Sequence, residues 1–170
     1  MLAAVSDAAQ SLAMPAMLPF APPPLDGRQS PTALAVARGV RRYLRALGFA
    51  SLTELPLPNG RRADIVALGP DGSVHIIEIK SSLADLRADA KWKEYRAHSD
   101  QLYFAIPATL PPGIMPGDAG LIVADAYGAD LLRTAPEHRL APATRRAILI
   151  RFAECAARRL HALHDPTCEA

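Results

Sequence analysis

LPNGRRADIVALGPDGSVHIIEIKS, residues 57–81, decides the fold of this chain. Two of its loops, Pro58-Asn59-Gly60 and Pro70-Asp71-Gly72, share one chemistry. Proline presets the first central position of a type I turn, Asn or Asp suits the second, and Gly takes the left-handed position that follows. That is the three-residue hairpin loop closed by a bulge. The loops separate strand-like runs at 50–57, 61–69 and 73–81, so the sequence predicts an antiparallel three-strand meander.

The same loops fix the register. With Leu57 facing Arg61 and Gly69 facing Ser73, Glu54 falls opposite Asp64, and Asp64 opposite Glu78. Directly opposed residues share a face. Lys80, two residues beyond Glu78, shares it too. The expectation is a row Glu54, Asp64, Glu78 with Lys80 at its end. The rest of that face is apolar (Val66, Leu68, Val74, Ile76), and the other face carries Ile65, Ala67, Ile77 and Ile79. A sheet apolar on both faces is covered on both. Three carboxylates side by side in such a sheet repel one another, and one lysine does not neutralise them. A divalent cation does: Mg²⁺ is a hard ion that takes carboxylate oxygens and supports hydrolysis. The alternative is a structural ion-pair cluster, with Lys80 paired to Glu78 or Asp64. A one-residue slip of either loop moves its acid to the opposite face.

Upstream, Ser30-Pro31 reads as an N-cap followed by proline at the first helical position. The helix is expected to reach Leu47, with Gly48 just past its end. Ala33, Ala37, Val40, Leu44 and Leu47 form its expected buried stripe. Arg38, Arg41, Arg42 and Arg45 recur on another face, either a solvated charged face or a ridge that contacts phosphates. Residues 1–29 are rich in Ala and Pro and read as a disordered arm, with no Lys or Arg before Arg28 to make a secretory n-region. Downstream, 82–99 reads as helical, with Asp89 as the place for a break, and 100–107 as a buried strand. Strand, helix and strand of this length suggest a right-handed parallel crossover. Residues 110–118 read as loop, and 120–125 with 131–133 as a small hairpin around Tyr127-Gly128. A long helix is expected over 141–164, with Ile148, Phe152, Cys155 (or Ala156) and Leu160 as its apolar stripe. The domain would then span 30–165, leaving 166–170 as a tail.

Composition narrows the function classes. The chain has 170 residues, enough for one ordinary domain. Half of them are apolar and 21% charged, which excludes a wholly disordered chain. No apolar run approaches the ~18 residues that read as a membrane span. Two cysteines, Cys155 and Cys168, cannot make a disulfide framework and fit a reducing, cytoplasmic setting. They match no zinc-site spacing with His161 and His164. A net charge of +2 says nothing about partners. All but three of the 19 basic residues are arginines, which suits phosphate but also follows from a GC-rich genome.

Arg62-Ala63-Asp64 followed by Glu78-Ile79-Lys80 fits the pattern D-x(n)-E-x-K, its second half on the apolar strand HIIEIK. This resembles the PD-(D/E)xK nuclease superfamily. A longer run, from GRRADIVAL through GSVHIIEIKSSLADLRADAKWKEYRAHSDQLYFAIP to GLIVADAYGADLLR, is similar to the MmcB family of DNA repair proteins. The resemblance implies an α/β (α+β) fold: a restriction-endonuclease-like αβββαβ core with a mixed sheet, extended by a hairpin and a long C-terminal helix. It implies that Asp64 and Glu78 ligate Mg²⁺ (or Mn²⁺) with the backbone carbonyl of Ile79, and that Glu54 is an accessory ligand. Lys80 would orient the attacking water or stabilise charge on the phosphate. The reaction would be metal-assisted hydrolysis of DNA phosphodiester bonds, on branched, damaged or single-stranded DNA, with the protein at the nucleoid. Ala63 stands where the motif's proline is expected, and Lys91-x-x-x-Tyr95 where some relatives carry Gln-x-x-x-Tyr. Lys91, Trp92 and Tyr95 are candidates for DNA contact at the mouth of the site, the indole stacking on an unpaired base. Trp92 packed in the core beside Tyr95 is the competing reading. Arg61 and Arg62 are placed to hold a phosphate near the metal. A member of the same fold that binds DNA without cleaving it is the alternative function. A regulatory protein whose acids form only salt bridges is a third.

Overall fold

The computed structural model describes residues 29–88 and 91–165. The arm expected over 1–29, apart from Gln29, and the tail at 166–170 lie outside the described residues, as do Asp89 and Cys168. The elements follow in the expected order: α1 (Pro31–Ala46), β1 (Ala50–Pro56), β2 (Arg62–Leu68), β3 (Val74–Ile79), α2 (Leu83–Ala88), a 3-10 turn (Trp92–His98), β4 (Gln101–Ile106), β5 (Gly120–Ala124), β6 (Ala129–Arg133) and α3 (Pro142–His164). The strands form one mixed six-stranded sheet in sequential order. β1, β2 and β3 are antiparallel, β3, β4 and β5 parallel, and β6 returns antiparallel to β5.

Both proline-containing loops close as the sequence predicts. Leu57 N–H donates to Arg61 O at 2.7 Å and Gly69 N–H to Ser73 O at 2.9 Å. Gly60 and Gly72 take φ of 81° and 80°, the left-handed position that glycine fills without strain. The resulting register sets Leu55 opposite Ala63 and Ile65 opposite Ile77.

Helices cover both faces. On one, Val36, Val40 and Leu44 of α1 pack on Ile65, Ala67 and Ile77. On the other, Ile148, Phe152 and Cys155 of α3 join Val66, Ile76 and Phe104. The buried stripe of α1 differs from expectation at its ends: Val36 and Gly39 are buried, Ala33 and Ala37 only partly, and Leu47 is half exposed. The shift follows from Gly39. A Cβ there would meet the carbonyl oxygens of Asp125 and Gly128 at 2.0 and 2.4 Å, so α1 lies directly on the β5–β6 turn.

One buried carboxylate joins three distant segments. Asp100 accepts hydrogen bonds from Val74 N at 2.7 Å and Leu140 N at 3.0 Å, and a two-pronged pair from Arg145 at 2.8 and 2.7 Å. Burial alone would raise its pKa; the Arg145 guanidinium and the two N–H donors more than offset this and hold it low.

Candidate functional site

The ladder between β2 and β3 stops at the pair Ile65–Ile77. At the next rung, Asp64 and Glu78, side chains replace it. Glu78 Oε1 accepts from Asp64 N at 3.3 Å, and Asp64 Oδ2 accepts from Ile79 N at 2.7 Å. Each carboxylate thus takes the place of a backbone carbonyl, and a cleft of about 460 Å³ opens at this end of the sheet. Asp64, Glu78, Ile79 and Lys80 all line it, with Ser30 and Ala33 at the start of α1, Asp85 of α2, and Tyr95. The expected convergence of Asp64, Glu78 and Lys80 on one pocket is the arrangement found.

The cleft is anionic, and its key charged side chains are buried. Glu78 is 3% exposed and Lys80 4%. Asp64 has its pKa raised to about 6. Burial is the main cause, and the charges of Glu54 and Asp85 add to it. The N–H of Ile79 and the Lys80 ammonium act in the opposite direction without cancelling it. Lys80 is fixed through its backbone, donating its N–H to Ala105 O of β4 at 2.9 Å.

Several expected site residues sit elsewhere. Glu54 takes φ = 55°, uncommon for a residue other than glycine. The backbone kink breaks the strand's alternation, and its carboxylate is engaged by Arg62 and by Gln29 Nε2. It acts on Asp64 by charge, but it does not complete a three-acid ligand set. Among the described residues, no three of His, Cys, Asp and Glu gather so as to hold a metal. Asp64 and Glu78 are the two acids that the splayed strand ends bring together in the cleft. Arg61 pairs with Glu94 at 2.5 Å, so both arginines before Asp64 are tied to carboxylates. Lys91 is exposed and outside the cleft lining. Trp92 is 8% exposed, packed edge-on against Phe104 at 5.3 Å, with Arg96 at 4.9 Å from its ring. Its ring is taken up by the core, and the expected base-stacking role at the mouth is corrected to packing. Tyr95 does reach the cleft, and its hydroxyl donates to Arg62 O at 3.3 Å.

Asp85 is the cleft residue that sequence reasoning did not assign to the site. Its signal was present as Ser82-Leu83-Ala84-Asp85, a helix-capping pattern. Asp85 N donates to Ser82 Oγ at 3.1 Å, and Asp85 Oδ2 accepts from Ser81 N at 3.1 Å. The cap aims an acid back at the strand end that carries Lys80.

The profile of the MmcB-like DNA repair proteins matches residues 21–167. The chain belongs to this family. A solved structure of a protein of unknown function from Silicibacter pomeroyi is 45% identical and superposes with a TM-score of 0.80, covering 84% of this chain and 97% of that one. No curated protein shows significant sequence similarity. The MmcB-like family match places the chain among DNA repair proteins, and every element of the cleft lies inside the matched span.

Proposed function

We propose that this MmcB-like protein is a divalent-metal-dependent DNA nuclease that hydrolyses phosphodiester bonds at the cleft formed by Asp64, Glu78 and Lys80. The observation that carries the reading is the splayed end of β2 and β3, where two carboxylates and a buried lysine share one pocket. A fold alone needs none of these charges there, and burying them costs stability. The donor set suits Mg²⁺ or Mn²⁺: hard carboxylate oxygens from Asp64 and Glu78, and the carbonyl of Ile79 beside them. Burial is what chiefly raises the pKa of Asp64, and the nearby charges of Glu54 and Asp85 add a negative potential that a cation would relieve. A bound divalent ion supplies Lewis-acid stabilisation of charge on the phosphoryl oxygens.

The chain's own residues do the rest. Asp64 is oriented by the Ile79 N–H, and Glu78 by the Asp64 N–H, so both ligands are held by backbone. Lys80 brings an ammonium on a buried side chain to the anionic phosphate. Asp85, across the cleft, adds a further acceptor.

The test is cleavage of nicked, branched and single-stranded DNA with and without Mg²⁺ or Mn²⁺. Wild type is expected to cut only with metal. Asp64→Ala, Glu78→Ala and Lys80→Ala each lose at least about a hundredfold in rate, in line with removal of one electrostatic group, while DNA binding persists. Cutting that survives all three substitutions contradicts the proposal. Metal-independent binding with no cutting assigns the protein to the non-catalytic DNA-binding alternative.

A further inference from the structure

We propose that the outward face of α1, together with the β5–β6 turn, is a second DNA-contact surface that receives a single-stranded stretch of the substrate. The inference rests on reading the cleft as a site that acts on DNA. Arg38, Arg41, Arg42 and Arg45 recur every three to four residues and so form one band. Val36, Val40 and Leu44 are buried on the opposite side. All four arginines are exposed, and α1 contains no acid. Elsewhere, Arg61, Arg62, Arg96 and Arg145 are each paired with a carboxylate. Arg38, Arg41 and Arg45 make no ion pair or hydrogen bond among the described residues. Three uncompensated guanidinium groups in a line are an electrostatic footprint for a phosphate backbone.

A second, independent feature points to single strands. Tyr127, at the tip of the β5–β6 turn, is 80% exposed. Arg42 lies against that turn, donating to Ala126 O and Tyr127 O at 3.4 Å. An open aromatic ring beside a row of cations is what an unstacked base needs, since it can stack without sequence readout. Gly39 makes the two elements one surface by letting α1 touch the turn. Asp125, the acid on which Arg42 acts by charge, is engaged within the turn by the N–H groups of Tyr127 and Gly128 at 2.7 and 2.9 Å. Ser30 and Ala33 line the cleft, and at 1.5 Å per residue Arg38 lies about 12 Å and Arg45 about 22 Å from Ser30 along the axis.

The experiment is fluorescence-anisotropy binding of a labelled single-stranded oligonucleotide and of the matching duplex, in EDTA, across a salt series. The combined variant Arg38→Ala, Arg41→Ala, Arg45→Ala should weaken single-strand binding at least about tenfold and reduce the slope of log affinity against log salt by about 2. Lysine at the same three positions should restore the slope, which a folding defect would not permit. Tyr127→Ala should weaken single-strand binding about fivefold or more and leave duplex binding within about twofold. Wild-type affinity and slope in the arginine variant overturn the proposal, as does a Tyr127→Ala variant that binds single strands like wild type. Without metal the assay does not depend on cleavage, so it stays separate from the outcome of the Asp64→Ala cleavage test.

Discussion

Asp64 shows how one side chain's surroundings set its chemistry. Burial is the largest influence on it, followed by the opposing pull of the Ile79 N–H and Lys80, and the balance leaves its pKa at about 6 against an ordinary 3.8. A carboxyl whose folded pKa is raised holds its stability contribution at low pH and loses it as pH climbs through the folded value. Wild type should therefore lose roughly 2–3 kcal/mol relative to Asp64→Asn between pH 4 and pH 7. Paired urea titrations at the two pH values measure this, and a constant difference would contradict it. Asp64, Glu78 and Lys80 were legible in the sequence because turn chemistry fixes register, and register fixes faces. Glu54 was not, because its positive φ is imposed by tertiary context and leaves no local signature. Trp92 was equally ambiguous: an aromatic residue at helical spacing serves a core or a ligand, and only Phe104 packing against it decides.

At the scale of elements, the register of the meander was readable, with strand ends within two residues, because both hairpin loops carry Pro, Asn or Asp, and Gly in the order their geometry demands. The segment after β3 was harder. Its capping pattern starts α2 at Leu83, yet the stretch Trp92–His98 winds as a 3-10 turn. Trp92 and Tyr95, three residues apart, both enter the core, and a three-residue turn stacks them on one side. The face of α1 was misjudged at its ends because the sequence does not show that Gly39 touches a turn some 90 residues later. Gly39→Ala tests that contact. Helix propensity alone would make the variant about 1 kcal/mol more stable. The clash with two backbone carbonyls should instead destabilise it by about 2 kcal/mol. Thermal unfolding distinguishes the two, and a raised midpoint would contradict the packing described.

At the scale of the molecule, the sheet places its two ends in different roles. The cleft lies where β2 and β3 separate, and the opposite end of β3 is closed by Asp100, Arg145 and the segment leading to α3. Asp100 and Arg145 lie 45 residues apart, beyond any spacing rule, so this clasp was invisible before the fold was known. Arg145 is partly exposed and can turn to solvent, so the main cost of Asp100→Ala is the two N–H donors it strands, about 2–4 kcal/mol. A chemical-denaturation midpoint unchanged from wild type would refute the clasp. Among the described residues, no helix is long and apolar enough to cross a membrane. The MmcB-like family match and the mixed αβββαβ sheet agree with the order read from the loops outward. The central claim is that a divalent ion belongs between Asp64 and Glu78, and anomalous diffraction from crystals soaked in Mn²⁺ tests it most directly. We predict an anomalous peak within coordination distance of both carboxylates that disappears in Glu78→Ala crystals; a cleft without a peak, at Mn²⁺ concentrations that support cleavage by related metal sites, would contradict the account.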